Sequence, residues 1–463
     1  MSDLNGAAGR RLSSLLDAGS FVEIGGGITA RSTDFNLGEK KAPSDGVITG
    51  YGTVDGNLVY VYSQDPSVLG GTIGEMHARK IVNIYRMAMK TGAPVVGIID
   101  CGGVRLQEST DALNALGSVM RQEVMASGVI PQITAVLGGC GGGMSVVAGL
   151  SDFTYLEGEK GRLFVNAPDA VKENSKDKCD MSAADFQAEA GNADFVGSEA
   201  EIFAQIRSLL GLLPGNNEDD GEILQTSDDL NRSVAGIEGL EGAADKLACL
   251  ADDGVFVETK KAHGGAVVTG FMRLNGATVG AVANNCKCGE LKGCAVNKAA
   301  DFISFCDAFS IPVVTLVNVE KMAQTSCTEK RMPKAASRLV AAYAEATVPK
   351  VTVVTGKAFG TPYIVMGSKA VGADMVYAWP NAEIGVMDAK SAAKILYDGS
   401  DAETLKKGAE EFRSLQQNVS SAAARGYVDT IIEPADTRKY LIGALDMLYT
   451  KREMRPDKKH GTV

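Results

Sequence analysis

Glycine dominates one short stretch of the sequence, residues 138–143, where five of the six positions carry no side chain. It follows the apolar, β-branched run 130–136 and precedes a segment, 145–150, with the pattern of a helix start. Glycine packs no side chain and loses much backbone freedom on folding, so such a run is not expected inside a strand or a helix. At the positive end of a helix dipole, the amides of Gly142 and Gly143 could hold a developing oxyanion. On this run alone, a tight turn without a ligand is an equally good interpretation.

The elements before this run alternate between helical patterns and buried strands. Helical periodicity covers 74–91, and the apolar strand 93–100 is followed by Cys101, Gly102 and Gly103. A second helical pattern then leads to the strand before the glycine run. This alternation is typical of βαβ units with a parallel sheet. Upstream, Asp-Gly at 55–56 joins two strand patterns and predicts a β-hairpin.

The second half of the chain repeats the order of the first. The repeated strand, hairpin, helix-with-strand and final strand patterns lie at 254–258, 267–279, 299–317 and 346–360. Four features in the same order indicate an internal duplication. We therefore predict two α/β domains, residues 1–225 and 226–463, with the acidic, turn-rich run 214–221 as the linker.

Composition narrows the class of protein. The chain has 463 residues, 45% of them apolar, a formal charge of -11, nine cysteines and three histidines. The negative charge disfavours nucleic acid as a partner, and so few histidines disfavour chemistry that needs several imidazoles. An odd number of cysteines without a signal sequence predicts reduced thiols. Without an apolar run of membrane-spanning length, we expect a cytoplasmic protein.

Ordered segments along nearly the whole chain resemble the carboxyltransferase subunits of biotin-dependent acyl-CoA carboxylases and decarboxylases, of the propionyl-CoA carboxylase beta and methylmalonyl-CoA decarboxylase alpha type. They are residues 46–56, 64–65, 92–95, 102–108, 127–133, 301–309, 343–350, 425–429 and 451–453. The resemblance implies tandem duplicated crotonase-like (ClpP/crotonase) domains, the first on the acyl-CoA side and the second on the biotin side. It also implies active sites between the first domain of one subunit and the second domain of its neighbour, in a dimer to hexamer.

The family's chemistry requires neither a metal nor a side-chain nucleophile. A carboxyl group moves between carboxybiotin and the acyl-CoA through an enolate, and backbone oxyanion holes hold the charge. By resemblance, Gly142 and Gly143 donate to the thioester oxygen, while Gly102, Gly103 and Gly141 shape the same pocket.

On the biotin side, the resemblance points to Gly360 and Thr361 as oxyanion donors and to Phe359 and Tyr363 as binding residues. Two departures affect this half. The family's Pro-Gly-rich loop is replaced by 320–327, which contains no glycine, and Pro362 has no amide hydrogen to donate.

Three interpretations follow from these departures. The chain is a working carboxyltransferase with altered biotin geometry, a subunit that pairs with a paralogue supplying an intact second half, or a catalytically impaired acyl-CoA-binding scaffold. A crotonase-like hydratase is weaker, because no motif places a glutamate pair near the glycine loops.

Biotin is expected on a separate carrier protein. The segment 87–90, Met-Ala-Met-Lys, superficially resembles a biotin attachment motif, but it lies in a helical pattern rather than at a hairpin tip. The expected partners are therefore a biotin carboxyl carrier protein and either a biotin carboxylase or a membrane decarboxylase subunit.

The remaining cysteines are interpreted as thiols. Cys286, Cys288 and Cys294, with Cys306 nearby, have loose metal-ligand spacing but lack paired C-x-x-C knuckles, so reduced loop thiols are favoured over zinc. Cys140 could be a nucleophile, but no motif supplies a histidine base, and a small buried residue is the better interpretation.

Overall fold

The computed structural model describes residues 3–31, 35, 42–174, 179–219, 221–285 and 289–456. The chain divides into two compact units, Met1–Asp220 and Gly221–Val463. The division falls within the acidic run 214–221, a few residues before the predicted boundary. In the described part of the chain, no helix combines the length and the apolarity needed to cross a bilayer.

The central sheet of unit 1 is mainly parallel. The strands of this unit are β1 (Val22–Glu23), β2 (Val47–Val54), β3 (Asn57–Gln64), β4 (Val95–Ile99), β5 (Gln132–Val136), β6 (Gly139–Gly141), β7 (Phe153–Glu157), β8 (Arg162–Phe164) and β9 (Phe195–Gly197). Among the described residues, the sheet order is β1-β2-β3-β4-β5-β7-β9, with β6 and β8 forming a separate parallel pair. Pairing is antiparallel up to β3 and parallel beyond it.

Helices cover the sheet of unit 1: α1 (Ala7–Leu15), α2 (Glu75–Thr91), α3 (Ser109–Ala126), α4 (Gly143–Leu150), α5 (Ala184–Ala190) and α6 (Glu199–Leu210). Helix α2 buries Ile81, Ile84, Tyr85 and Ala88, which share one face at helical spacing. It ends at Gly92, whose φ of 65° is the left-handed conformation of a glycine cap. The segment 87–90 lies within this helix, as predicted.

Unit 2 repeats this plan. Its strands are β10 (Phe256–Thr259), β11 (Val267–Leu274), β12 (Ala277–Asn284), β13 (Glu290–Leu291), β14 (Val313–Val319), β15 (Lys321–Met322), β16 (Lys350–Phe359), β17 (Met375–Ala378), β18 (Glu383–Gly385) and β19 (Thr430–Ile431). In the described part, the order is β10-β11-β12-β14-β16-β17-β19, with β18 paired to β16 and β13 paired to β15. Its helices are α7 (Ala243–Leu250), α8 (Gly293–Ala308), α9 (Ser326–Glu345), α10 (Gly360–Val365), α11 (Ala389–Leu396), α12 (Ala402–Phe412), α13 (Val419–Ala424) and α14 (Thr437–Leu448).

The register shows that the two units are copies of one design. Val95 pairs with Gln132 where β4 meets β5, and Val313 pairs with Lys350 where β14 meets β16. Each sheet begins with an antiparallel hairpin and continues with parallel strands, whose carboxyl ends gather the following loops at one edge. The predicted duplication is confirmed, and each copy places its glycine turn at that edge.

Candidate functional site

The glycine turn of unit 1 connects β5 to α4. Gly142 has φ 58° and ψ −127°, a conformation that is strained for residues with a side chain, and it caps helix α4. The expectation that this run contains no strand is wrong at Gly139–Gly141, which form β6 and pair in parallel with β8. Glycine is required there because a Cβ at Gly141 would lie 2.4 Å from the Phe164 ring.

The Gly142 amide is already bonded within the protein. Its N–H donates to the Phe164 carbonyl at 3.0 Å, which extends the β6–β8 pairing by one residue. The prediction that this amide donates to a ligand is therefore corrected: Gly142 shapes the turn but its N–H is occupied. The next two amides, of Gly143 and Met144, open helix α4 and have no acceptor within the helix itself. Gly143 is also tightly packed, since a Cβ there would lie 2.6 Å from Leu116.

The predicted pocket residues Gly102 and Gly103 lie beside this turn. Cys101 N–H donates to the Gly139 carbonyl at 2.8 Å, so the loop after β4 runs along the glycine run. Gly102 N–H donates to Gly70 at 3.0 Å, and Gly103 has φ 100°, which favours glycine. The structure thus brings together the predicted unit 1 residues Gly102, Gly103, Gly141, Gly142 and Gly143.

A small cavity of about 180 Å³ is lined by Phe164, the residue of β8 that pairs with Gly141. The Phe164 carbonyl is the acceptor of the Gly142 N–H. The cavity is also lined by the apolar side chains of Val165, Pro168, Met181 and Phe186. Polar side chains contribute to the lining as well: Asn166, Asn174, Ser182 and Gln187. A pocket of this mixed character is suited to a small ligand with an apolar part and a few polar groups.

Cys140 is fully buried in the core of unit 1. Burial raises the pKa of its thiol well above the usual range, with a smaller effect from Cys101. A protonated, inaccessible thiol is not a nucleophile. This agrees with the interpretation of Cys140 as a small buried residue.

A buried ionic cluster, missed in the sequence, holds the far end of the Gly102–Gly103 loop. Arg105 is 1% exposed and donates to Asp45 at 2.6 Å and to Glu108 at 2.7 Å. Burial raises the pKa of Asp45, although the Arg105 charge opposes the shift. The available signal was an arginine two residues after a glycine pair, and its partner Asp45 is distant in sequence.

Unit 2 carries a second glycine turn, between β16 and α10. Gly360 has φ 59°, close to the value at Gly142, and it is followed by Thr361, Pro362 and Tyr363 in the first turn of the helix. Pro362 is buried and suits this place structurally, because amides in the first turn have no acceptor within the helix. Burial raises the pKa of Tyr363. Phe359 is the last residue of β16. The predicted biotin-side residues therefore lie within five consecutive positions and form one cluster in this unit: Phe359, Gly360, Thr361 and Tyr363.

The loop that departs from the family forms strand β15 and lines a polar cavity. Among the residues lining this cavity of about 350 Å³ are Asn318, Glu320, Lys357 and Glu383. Glu320 pairs with Lys357 across it. Where unit 1 has the bare backbone of Gly102 and Gly139, the matching strand ends of unit 2 thus carry an ion pair.

The cysteine group falls partly outside the described residues. Cys286 and Cys288 are among those not described, Cys294 lies in α8, and Cys306 is buried. Over the described ranges, no three or more histidine, cysteine or acidic side chains are arranged to hold a metal ion.

The fold and its two glycine turns define a tandem crotonase-like protein. The carboxyl transferase domain family matches residues 6–463, and the chain belongs to this family. It is 40% identical to the methylmalonyl-CoA decarboxylase subunit alpha of Veillonella parvula, over 98% of this chain and 92% of that protein. It is 39% identical to the propionyl-CoA carboxylase beta chain of Roseobacter denitrificans, over 98% and 93%.

A solved structure gives the same result. The transcarboxylase 12S structure, a hexamer assembly with hydrolysed methylmalonyl-coenzyme A bound, aligns with a TM-score of 0.94 at 36% identity. The alignment covers 99% of this chain and 93% of the 12S chain. These comparisons confirm the predicted family, the fold and the enzyme class, a biotin-dependent acyl-CoA carboxyltransferase with biotin as cofactor and a CoA thioester as substrate. They do not favour the impaired scaffold.

Proposed function

We propose that this chain is the subunit that moves a carboxyl group between biotin on a separate carrier protein and an acyl-CoA, with propionyl-CoA and methylmalonyl-CoA as the substrate pair. The observation that carries the proposal is the match over both halves to proteins named for these two thioesters. The transcarboxylase 12S structure, which is similar to this chain, was solved with methylmalonyl-coenzyme A bound. The cavity of about 180 Å³ lined by Phe164, which pairs with Gly141, has room for a short acyl group.

Unit 1 provides the acyl-CoA side in this proposal. The amides of Gly143 and Met144 point from the start of α4 and donate to the thioester oxygen, which becomes an oxyanion as the α-proton leaves. Each well-placed donor lowers the barrier by roughly 3 kcal/mol. Gly142 holds the turn in the required conformation. Gly102 and Gly141 let neighbouring protein atoms pack against the backbone, and Gly103, with open space at its Cβ position, leaves room for the thioester to approach.

Unit 2 provides the biotin side. When bound, biotin supplies the carboxyl group and the base for the α-proton. The amide of Thr361, which follows Gly360 as Gly143 follows Gly142, donates to the ureido oxygen, and Phe359 and Tyr363 flank it. Only part of the pattern fits, because Pro362 stands where unit 1 has Met144 and offers no N–H. This half-site therefore has one helix amide fewer than the acyl-CoA side.

The proposed assembly follows from the relatives. Several are named as subunits or chains, and the 12S protein is a hexamer. We expect this chain to form a dimer to hexamer, alone or with a paralogue, and to work with a biotin carboxyl carrier protein. A biotin carboxylase or a membrane decarboxylase subunit would complete the cycle, and the location would be cytoplasmic.

The test is carboxyl transfer by the purified chain. Methylmalonyl-CoA is incubated with a biotinylated carrier domain, and the formation of propionyl-CoA is followed by chromatography with and without the biotin. We expect biotin-dependent turnover, unchanged in Gly149→Ala, an exposed position of α4 with open space around it. No biotin-dependent turnover of methylmalonyl-, malonyl- or glutaconyl-CoA would overturn the proposal.

A further inference from the structure

One continuous chain of buried side chains holds both ends of the loop that carries Gly102 and Gly103. At the first end, Asp100 N–H donates to Gln64 Oε1 at 3.1 Å. At the other end, Arg105 Nη1 donates to Asp45 Oδ1 at 2.6 Å. His77 connects the two, so the loop is clamped at residues 100 and 105 by the same interior network.

Donor and acceptor roles in this chain have one consistent assignment. Because Gln64 Oε1 accepts from Asp100, the Gln64 amide nitrogen faces His77 Nε2, at 3.2 Å. That nitrogen only donates, so His77 Nε2 must accept and carry no proton. The ring proton is then on Nδ1, which donates to the Asp45 carbonyl at 2.9 Å. A neutral imidazole with this tautomer therefore fixes which end of the Gln64 amide meets the loop.

All members of the chain are shielded from water. Gln64, His77 and Asp45 are 0% exposed, and Arg105 is 1% exposed. The His77 backbone amide also donates to Asp45 Oδ2 at 2.7 Å, so the aspartate is held by both His77 and Arg105. Buried hydrogen bonds that are fully paired fix a single arrangement, because an unpaired group in the interior is costly.

Unit 2 shows that the fold does not need this chain. Asn284 ends β12 as Gln64 ends β3, and its Oδ1 accepts Asn318 N–H at 3.1 Å, as Gln64 accepts Asp100. The third residue of helix α8 is Ala295, where helix α2 has His77. Beyond the first contact, the Asn284 amide nitrogen has no hydrogen-bond partner among the described residues. The same architecture is thus built without the histidine, which points to a role at the loop of unit 1.

We propose that His77 is a positioning residue that, through Gln64 and Asp45, holds the loop 100–105 in the conformation the acyl-CoA side needs. The inference rests on the proposed function, since the loop's glycines shape the thioester pocket there. His77 is completely buried, so it acts through Gln64 and Asp45 and not by contact with the substrate. Removing it should leave CoA binding intact and misplace the backbone that surrounds the thioester.

The test compares His77→Leu, which loses every contact of the ring, with His77→Gln, whose terminal amide keeps one acceptor and one donor. In the turnover assay with methylmalonyl-CoA, His77→Leu should lower kcat about 10-fold or more while KM changes by less than about 3-fold. His77→Gln should recover most of kcat. The matched control is Thr315→Val, which removes a buried hydrogen bond of 2.8 Å to Tyr343 in unit 2 and should behave like wild type.

Hydrogen exchange gives a readout that is independent of activity. The peptide spanning residues 98–108 should exchange faster in His77→Leu than in wild type, and at the wild-type rate in His77→Gln. If His77→Leu does not fold, Gln64→Met removes the acceptor of Asp100 with little change of volume and should show the same pattern.

Unchanged kcat and unchanged exchange in these variants would overturn the inference, as would a kcat loss of equal size in Thr315→Val. If the wild type shows no turnover, the proposed function fails, and unaltered exchange at 98–108 would then reject the positioning role separately.

Discussion

The Arg438 guanidinium donates to the Asp252 carboxylate at 2.7 Å, and both side chains are almost completely buried. Arg438 also donates to the Leu250 carbonyl at 3.1 Å, which ties α14 to the end of α7. Asp252 in turn accepts the backbone amides of Asn275 and Gly276 at the tip of the β11–β12 hairpin. One ion pair therefore fixes two helices and a hairpin.

Unit 1 contains the same clamp in a more exposed form. Arg207 donates to Asp17 at 2.9 Å and to the Leu15 carbonyl at 2.8 Å, while Asp17 accepts the amides of Asp55 and Gly56. These hydrogen bonds, with that to Arg207, hold the pKa of Asp17 well below its usual range. The duplication thus extends from strand order to individual side-chain contacts.

Asp252→Ala should destabilise the protein more than Asp17→Ala. Removing Asp252 takes away the nearer carboxylate partner of the buried Arg438 guanidinium, leaving Asp228 at 3.3 Å, and removes the acceptor of the Asn275 and Gly276 amides. Losing these buried hydrogen bonds should cost about 2 to 3 kcal/mol, whereas water can reach the 28% exposed pair of unit 1. Denaturant unfolding of each variant measures the difference. Asp301→Ala is the control, because its pair with Arg338 is exposed and should contribute less than about 1 kcal/mol. Equal losses for Asp252 and Asp17 would show that burial is not the deciding factor.

The sequence predicted the elements more reliably than the contacts between them. Apolar periodicity placed the helix at 74–91 and the strand at 93–100 within a few residues of α2 and β4, because burial dictates both patterns. The glycine run was recognised because strands and helices rarely contain several glycines in a row, which pack no side chain and lose much backbone freedom on folding. Sequence did not reveal that Phe164 occupies the Gly142 amide, since the pairing of β6 with β8 is a tertiary contact.

Long-range side-chain networks were missed for the same reason. Arg105 is separated by 60 residues from Asp45, and His77 by 13 from Gln64. Only the fold brings these groups together. The sequence offered only the weaker signal of a charged residue, Arg105, placed two positions after a glycine pair.

Gly142→Ala should strongly reduce carboxyl transfer. Its φ of 58° and ψ of −127° are accessible to glycine but strained for alanine by about 1 to 3 kcal/mol, although there is open space for the new Cβ. Relaxation of this strain would turn the Gly143 and Met144 amides away from the thioester, and we expect kcat to fall about 100-fold. The turnover assay with methylmalonyl-CoA measures this fall in kcat.

Gly149→Ala makes the same chemical change within the same helix. Gly149 is exposed and its surroundings are open, so alanine should stabilise α4 by about 0.5 to 1 kcal/mol and leave kcat unchanged. Wild-type turnover in Gly142→Ala would mean that the turn's conformation is not needed for catalysis.

Pro362→Ala should raise the rate of the biotin half-reaction. The substitution restores an amide at the place where unit 1 has Met144, and one additional oxyanion donor corresponds to roughly 10-fold to 100-fold in rate. Carboxyl transfer from methylmalonyl-CoA to free biotin measures the change. Greater unfolded-chain entropy should lower stability by about 0.4 to 1 kcal/mol.

Pro333→Ala is the control for this substitution. Pro333 is exposed within α9, so alanine there should stabilise the helix without altering transfer to biotin. A rate unchanged by Pro362→Ala would indicate that other groups, such as Lys357 in the polar cavity, already replace the missing donor.

His77 should make the folded protein sensitive to mild acid. Burial, with the nearby charges of Arg105 and Lys80, lowers its pKa to about 3, while the Asp45 contact acts in the opposite direction. Between about pH 6.5 and 3 the unfolded chain binds a proton at this position that the folded chain does not, so stability falls as the pH falls.

In His77→Gln this contribution is absent. The difference in unfolding free energy between wild type and His77→Gln should therefore shrink by roughly 1.4 kcal/mol per pH unit between about pH 6 and 4. Denaturant titrations across this range, with Thr315→Val as a variant that removes no titratable group, measure it. A difference independent of pH would mean that His77 is protonated in the fold, and the assigned tautomer would then be wrong.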